Sequence, residues 1–214
     1  MRKLLLLVML SVLTPFGIAE AQEESINTTD FGVEVGLGSD YFFRGVSQMQ
    51  NGAHWNMGGQ VEAAGFFGGA WVGAVDFGDE ASYEYDLWAG YKLDVMDNMS
   101  VSVGAIQYRY DAGPYDMVEE VFVGLDFGML SIMGYQDTET DDNYAEMTLD
   151  VSRFVPVVDM NLLYGYHDDG NDFSALRVSK DINDNLNFGV TVMLETVMDG
   201  QTMDSISAGF NYVF

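Results

Sequence analysis

The stretch Asp204-Ser205-Ile206-Ser207-Ala208-Gly209-Phe210-Asn211-Tyr212-Val213-Phe214 decides the fold. Asp204, Ile206, Ala208, Phe210, Tyr212 and Phe214 fall on one face. Ser205, Ser207, Gly209, Asn211 and Val213 fall on the other, which is the period of two of a β-strand. One face is apolar and aromatic; the other is small and polar. A soluble sandwich strand could carry the same pattern. The aromatic ending and the export signal at the other end of the chain favour the closing strand of an outer-membrane β-barrel, whose apolar face meets lipid.

The export signal is legible in three parts. Arg2 and Lys3 supply positive charge, Leu4 to Leu13 supply an apolar core, and Ala19-Glu20-Ala21 supplies a small-x-small cleavage site. The core is too short to anchor the chain, since a spanning helix needs roughly 20 residues. Beyond it the uncharged run Ala63 to Val75 is short and glycine-rich. A membrane protein without an apolar helix must close its strands into a barrel. The expected organisation is a signal peptide at 1–21, a short segment at 22–30 and a barrel at 31–214.

Composition narrows the function. There are no cysteines, so a small disulfide-held secreted scaffold is disfavoured. The chain has 34 acidic against 8 basic residues and a formal charge of −26, which would repel nucleic acid. The many glycines, tyrosines and phenylalanines beside 3 prolines suit short strands and tight turns.

Counting back from the terminal strand gives eleven more alternating segments, at about 31–43, 55–63, 67–77, 83–93, 101–110, 117–125, 129–136, 145–152, 160–166, 173–180 and 186–195. The phase blurs at Ile106 to Tyr110, and Met129 to Gln136 is ambiguous. Twelve strands in an all-β, antiparallel, up-and-down transmembrane β-barrel put both chain ends on the same side. The tight connections, such as 64–65 and 94–98, then belong to one end. The longer acidic ones at 48–54, 78–81, 111–115, 137–142, 167–172 and 197–203 belong to the other.

The polar face is the expected lumen. Its candidate pore residues are Glu34, Asp40, Arg44, Glu62, Asp76, Glu84, Asp86, Trp88, Lys92, Glu120, Glu146, Asp150 and Glu195. Arg177 is a further lumen base. Asp40 and Arg44, four residues apart on one strand, would stand about 13 Å apart. Arg44 is therefore expected to pair across strands, with Glu62, Asp76, Glu84 or Asp86. The excess of acids predicts a lumen that favours cationic or zwitterionic solutes. A twelve-stranded barrel lies between the filled eight-stranded and the open sixteen-stranded kinds, so the pore should be narrow.

Gly36-Leu37-Gly38-Ser39-Asp40-Tyr41-Phe42-Phe43-Arg44-Gly45-Val46-Ser47-Gln48 resembles the opening motif of the TorF-type porins, a family also filed as Gcw_chp. That family carries Ser-Asp-Tyr-x-Phe-Arg-Gly-x-Ser-Gln near its mature N-terminus. Gly65-Phe66-Phe67-Gly68-Gly69-Ala70-Trp71 with Val75-Asp76-Phe77-Gly78, and Glu84-Tyr85-Asp86-Leu87-Trp88-Ala89-Gly90-Tyr91, are similar to two further blocks. The likeness is strongest over about 35 to 95. It departs at Gly73-Ala74, where members often have a small residue followed by Asn. The resemblance implies an outer-membrane barrel and a pore, with no established substrate.

The expected function is passive diffusion of small solutes across the bacterial cell outer membrane. The expected partners are that membrane's lipid and lipopolysaccharide and the barrel-assembly machinery, with a homo-oligomer left open. Phe210, Tyr212 and Phe214 are the expected assembly signal, as an aromatic final residue on the lipid face resembles what that machinery reads. A non-conducting surface barrel is the alternative, ahead of an outer-membrane hydrolase or a soluble secreted sandwich. Only His54 and His167 are available as bases, and no Gly-x-Ser-x-Gly elbow occurs. The acidic loops 137–142 and 168–172 lack the distal Glu of a calcium loop. No enzyme, metal or cofactor is expected.

Overall fold

A computed structural model describes residues 29–113, 117–168, 170–198 and 201–214. The export signal and most of the short segment after it lie outside the described residues.

The wall consists of β1 (Thr29–Gly38), β4 (His54–Ala63), β5 (Phe66–Ala74), β6 (Tyr83–Met96), β7 (Met99–Tyr110), β8 (Val118–Phe127), β9 (Leu130–Asp137), β10 (Asn143–Asp150), β11 (Asp159–His167), β12 (Asp172–Asp181), β13 (Leu186–Met198) and β14 (Gln201–Val213). Each pairs antiparallel with its chain neighbour, and β1 pairs with both β4 and β14 to close a twelve-stranded barrel. Two further strands, β2 (Phe42–Phe43) and β3 (Val46–Ser47), pair only with each other. Closure removes every edge of the wall sheet, as lipid demands of a spanning sheet.

The outer surface settles which face is which. Phe31, Leu37, Phe66, Val103, Val123, Ile206 and Phe210 all point outward with at least half of their surface exposed. A soluble barrel buries such residues; here they form the lipid-facing band. Aromatic rings border that band at both ends. At the end with tight turns Phe66 meets Tyr91, Phe188 meets Phe210 and Tyr212 meets Phe214, with centroids 4.8–4.9 Å apart. At the other end Trp55 lies 5.9 Å from Tyr83, and Tyr164 and Tyr166 share that level. Rings there place an apolar body in lipid and a polar edge in the headgroup layer.

The turn end carries the connections 64–65, 97–98, 128–129, 151–158 and 182–185. Ala64 and Gly65 both have positive φ (52° and 82°), which the tight two-residue turn requires. The loop end carries 39–53, 75–82, 111–117, 138–142 and 168–171. The expected long connection at 197–203 is mostly strand, since β13 runs to Met198 and β14 starts at Gln201; residues 199–200 between them lie outside the described residues. Within the loops, backbone amides of Ser82 and Tyr83 donate to the Asp111 carboxylate at 2.8 and 3.0 Å and hold it below the usual carboxylate range.

Through Ile106 to Tyr110, where the sequence phase blurs, the register with β6 does not shift. The alternation continues, with Ile106 and Tyr108 buried inside and Gln107 and Arg109 outside. Gln107 donates to Glu119 across the outer surface at 2.6 Å. On β7 the outside here is polar while the inside packs on apolar groups.

The β1–β14 seam is the shortest wall pairing, five positions from Glu34–Val213 to Gly38–Gly209. A Cβ at Gly209 would lie 2.7 Å from the Leu37 carbonyl oxygen and 3.2 Å from the Gly38 Cα. Both are backbone atoms and cannot step aside. Gly209→Val is therefore expected to cost about 1–3 kcal/mol through overpacking, concentrated at the closing seam. Urea unfolding followed by the heat-dependent gel mobility of the barrel measures it; an unchanged midpoint would contradict this account of closure.

Candidate functional site: a hairpin inside the barrel

After Gly38 the chain leaves the wall and turns into the lumen. The expected first strand, 31–43, thus ends five residues early. The Ser39 amide donates to the Ala208 carbonyl at 2.9 Å, and the Ala208 amide to the Ser39 hydroxyl at 3.0 Å. Asp40, 3% exposed, accepts from the Tyr41 amide at 2.8 Å and the Ser47 hydroxyl at 2.9 Å. The Gln48 amide donates to the Tyr41 carbonyl at 2.7 Å. β2 and β3 complete a small hairpin whose two-residue tip is Arg44-Gly45.

Both tip residues have positive φ, 48° at Arg44 and 87° at Gly45, as a type I′ turn requires. Glycine suits its position twice over, because a Cβ there would sit 2.8 Å from two atoms of Phe173. Arginine does not suit its own. A left-handed non-glycine residue costs on the order of 1–2 kcal/mol, so its side chain must supply the compensation.

That compensation is visible. Arg44 Nη1 donates to Glu120 Oε1 at 2.7 Å and Nη2 to Glu120 Oε2 at 2.5 Å, a two-point pair on β8. The guanidinium carbon lies 4.1 Å from the ring centre of Tyr144, 4.7 Å from Phe43 and 5.0 Å from Tyr135. Tyr108 donates to Glu120 Oε2 at 3.2 Å, and Tyr144 donates to Glu146 at 2.6 Å. Phe43 packs edge-on against Tyr108 with centroids 5.4 Å apart. Arg44 thus pairs with Glu120, not with Glu62, Asp76, Glu84 or Asp86 as a wall position for it implied.

The return limb is tied to the loop between β5 and β6. The Asp76 amide donates to the Gln48 carbonyl at 2.7 Å, and Gln50 Nε2 donates to Asp76 Oδ1 at 2.7 Å. Asp76 is therefore an exposed loop residue that anchors the hairpin, not a lumen carboxylate.

The lumen has two unlike walls. Along β6 to β12 the inward residues include the large rings of Trp88, Tyr108, Phe122, Tyr135, Tyr144 and Phe173, on which the hairpin leans. Along β13, β14, β1 and β4 most inward residues are small or polar: Asn187, Gly189, Thr191, Ser207, Gly209, Asn211, Glu34, Gly36, Asn56 and Gly58, with Met193 and His54 buried among them. A cavity of about 10 Å³, room for one water, lies between this polar wall and Asp40.

Other expected lumen residues fall in four places. Glu84, Asp86, Trp88, Glu120 and Glu146 point inward and are buried. Glu34, Glu62 and Lys92 point inward and are half-buried. Asp150 lies exposed at the turn-end mouth and accepts from the Ser152 amide at 2.8 Å. Glu195 faces outward, because a bulge between Met193 and Thr196 shifts the phase and sets it opposite Ser174. Neither oxygen of Asp86 accepts a hydrogen bond among the described residues.

His54 Nδ1 faces the Ala74 carbonyl at 3.1 Å and Nε2 faces the Asn56 amide nitrogen at 3.0 Å, so both ring nitrogens are engaged in the wall. Among the described residues no group of three His, Cys, Asp or Glu is placed to hold a metal ion.

The hairpin was missed from sequence, although Tyr41-Phe42-Phe43 signals it: three aromatics in a row leave no polar face for a wall strand. Every residue of the Ser39 to Gln48 motif builds this hairpin or its anchorage.

Residues 21–207 match the model of a family described as a bacterial protein of unknown function, Gcw_chp. Curated proteins give no significant match. Among solved structures the chain is similar to the KdgM porin, at 12% identity and a TM-score of 0.64 over 86% of this chain and 99% of that one. The same porin in complex with disordered oligogalacturonate gives 10% identity and a TM-score of 0.61, over 87% and 99%. At such identities the likeness is one of fold.

Proposed function

The chain belongs to the Gcw_chp family, and from that premise and the build of its barrel we propose that it is a porin-like channel of the bacterial outer membrane. Small solutes diffuse along the polar wall of β13, β14, β1 and β4, past the hairpin that narrows the lumen. The observation that carries this reading is the uneven lining of the lumen: the hairpin leans mainly on the aromatic rings, touches β4 through Tyr41 on His54 and β13 through Thr196, and leaves the small and polar residues of β14, β1 and the rest of β13 and β4 to line the remaining space. Barrels that serve only as scaffolds have no need of such a strip.

Charge sets the preference. Glu34 and Glu62 stand on the polar wall, and Asp40 borders the cavity beside it. Cations and zwitterions are favoured over anions. Catalysis is not part of the proposal. The membrane's lipid and lipopolysaccharide surround the apolar band, and the assembly machinery reads Phe210, Tyr212 and Phe214, whose side chains all face outward. A non-conducting barrel is the second reading, favoured by the filled loop-end lumen around Tyr41 and Phe42.

Planar-bilayer recording in a salt gradient tests the reading. The reversal potential is expected to show cation preference. Glu34→Gln with Glu62→Gln is expected to lower the cation-to-anion permeability ratio about two- to fivefold, the order of one or two nearby charges in a wet pore. Anion preference in the unaltered protein would overturn the charge argument. Absence of any conductance from correctly folded protein, with Arg44 intact or replaced, would overturn the channel.

A further inference from the structure

The group around Arg44 is a complete receptor for a guanidinium ion. Glu120 offers both oxygens to two guanidinium nitrogens, and Tyr144 and Tyr135 offer ring faces within 5.0 Å of the central carbon. These wall groups are fixed independently of the hairpin: Tyr108 donates to Glu120, Tyr144 donates to Glu146, and Tyr135 packs on both Tyr144 and Phe122. With Arg44 in place Glu120 and Tyr135 are each 5% exposed and Tyr144 is 4% exposed, so the filled receptor is desolvated.

The occupant arrives at a cost. Arg44 sits at a left-handed turn position where glycine or asparagine is at ease, so the turn itself does not ask for arginine. Its place is explained by the receptor it fills.

We propose that this wall pocket is a guanidinium-recognition site, filled here by the chain's own Arg44, and that it binds guanidinium-bearing solutes when the hairpin tip is vacated. The proposal rests on the channel reading only in taking the lumen as the solute's route; the recognition chemistry does not depend on conduction. A guanidinium fits where an ammonium does not. Its planar fork matches the two carboxylate oxygens, and its faces stack on the tyrosines, whereas an ammonium is a point charge that meets one oxygen at a time.

Removal of the internal occupant tests this. Arg44→Gly relieves the turn and leaves the side chain's space empty. Ethylguanidinium, added at millimolar concentration to the refolded full-length variant, is expected to perturb tyrosine fluorescence saturably. Propylammonium is expected to bind at least about tenfold more weakly, the worth of one lost charge-assisted hydrogen bond. The unaltered protein, with its site filled, and the double variant Arg44→Gly with Glu120→Gln are expected not to bind. Equal affinity for the two cations, or full binding without the Glu120 carboxylate, would overturn the proposal. Should Arg44→Gly fail to refold, Arg44→Ala carries the same comparison. In bilayers the same ion is expected to reduce the current of Arg44→Gly. A variant that conducts but neither binds nor is blocked refutes the site and leaves the channel standing. A variant that binds but never conducts refutes the channel and leaves the site standing.

Discussion

Arg44→Ala opens the lumen: single-channel conductance rises several-fold over the unaltered protein, and the hairpin becomes a protease target. Among the described residues the guanidinium is the hairpin's one charged hold on the far wall, through both oxygens of Glu120 and the rings of Tyr135 and Tyr144. Removing it leaves Glu120 buried with, among the described residues, only the Tyr108 hydroxyl as a hydrogen-bond donor. Breaking a buried pair on one side costs about 3–5 kcal/mol, because the remaining charge is uncompensated. That cost falls on the closed arrangement, since an outward hairpin lets water reach Glu120. The open population therefore rises on the order of a hundredfold or more. The effect is local: the wall ladders do not pass through the hairpin, so barrel unfolding moves little while hairpin opening moves much.

Chymotrypsin gives the second readout. Tyr41, at 0% exposure, and Phe42, at 1%, are shielded in the closed lumen and become cleavable once the tip is free. Arg44→Lys falls between, as one ammonium cannot engage both oxygens or stack as a plane. Adding Glu120→Gln to Arg44→Ala restores part of the closed population by removing the stranded charge. Equal conductance and equal protease resistance in Arg44→Ala would show that the hairpin is held by its apolar residues alone.

Deletion of Phe214 removes most of the protein from the outer membrane. Its side chain, 73% exposed, lies on the lipid face against Tyr212, and its amide donates to the Val33 carbonyl at 3.0 Å. The deletion thus takes away both the last ring of the aromatic face and a backbone tie across the shortest seam of the barrel. Phe214→Trp keeps both and is expected to assemble normally. Phe214→Ala keeps the backbone tie and loses the ring, so it separates recognition by the assembly machinery from closure of the seam. Quantitative blotting of outer-membrane fractions reads the outcome. The lumen is built elsewhere, so deletion protein refolded in detergent is expected to conduct as the full chain does. Normal outer-membrane levels of the deletion would remove Phe214 from the assembly account.

The barrel was legible because lipid imposes a strict rule on its strands. Every wall residue inside the membrane faces either hydrocarbon or lumen, so Tyr83 to Leu93 and Leu186 to Val192 alternate without interruption. The rule lapses where strands leave the lipid. At Gln107 and Arg109 the outside is wet and at Ile106 and Tyr108 the inside is apolar, so the pattern inverts and reads as noise. Glu195 was misplaced because one inserted residue in β13 changes the phase, and no local residue type announces it. Asp76 continued an alternating run that the structure ends at Ala74. The hairpin was hidden most deeply: its aromatics are buried on all sides, so they carry no two-sided pattern. Arg44 is legible as a lumen base from sequence, but its partner is not, because Glu120 lies across the lumen from a segment whose period reads as wall.

Paired bilayer recordings of the refolded full-length chain and of Arg44→Gly, in the same potassium chloride gradient, test the central claim most directly. A pore narrowed by an arginine-held hairpin predicts a small cation-preferring conductance in the former and a several-fold larger one in the latter, still cation-preferring. Identical conductances, or silence from both correctly folded proteins, would contradict it.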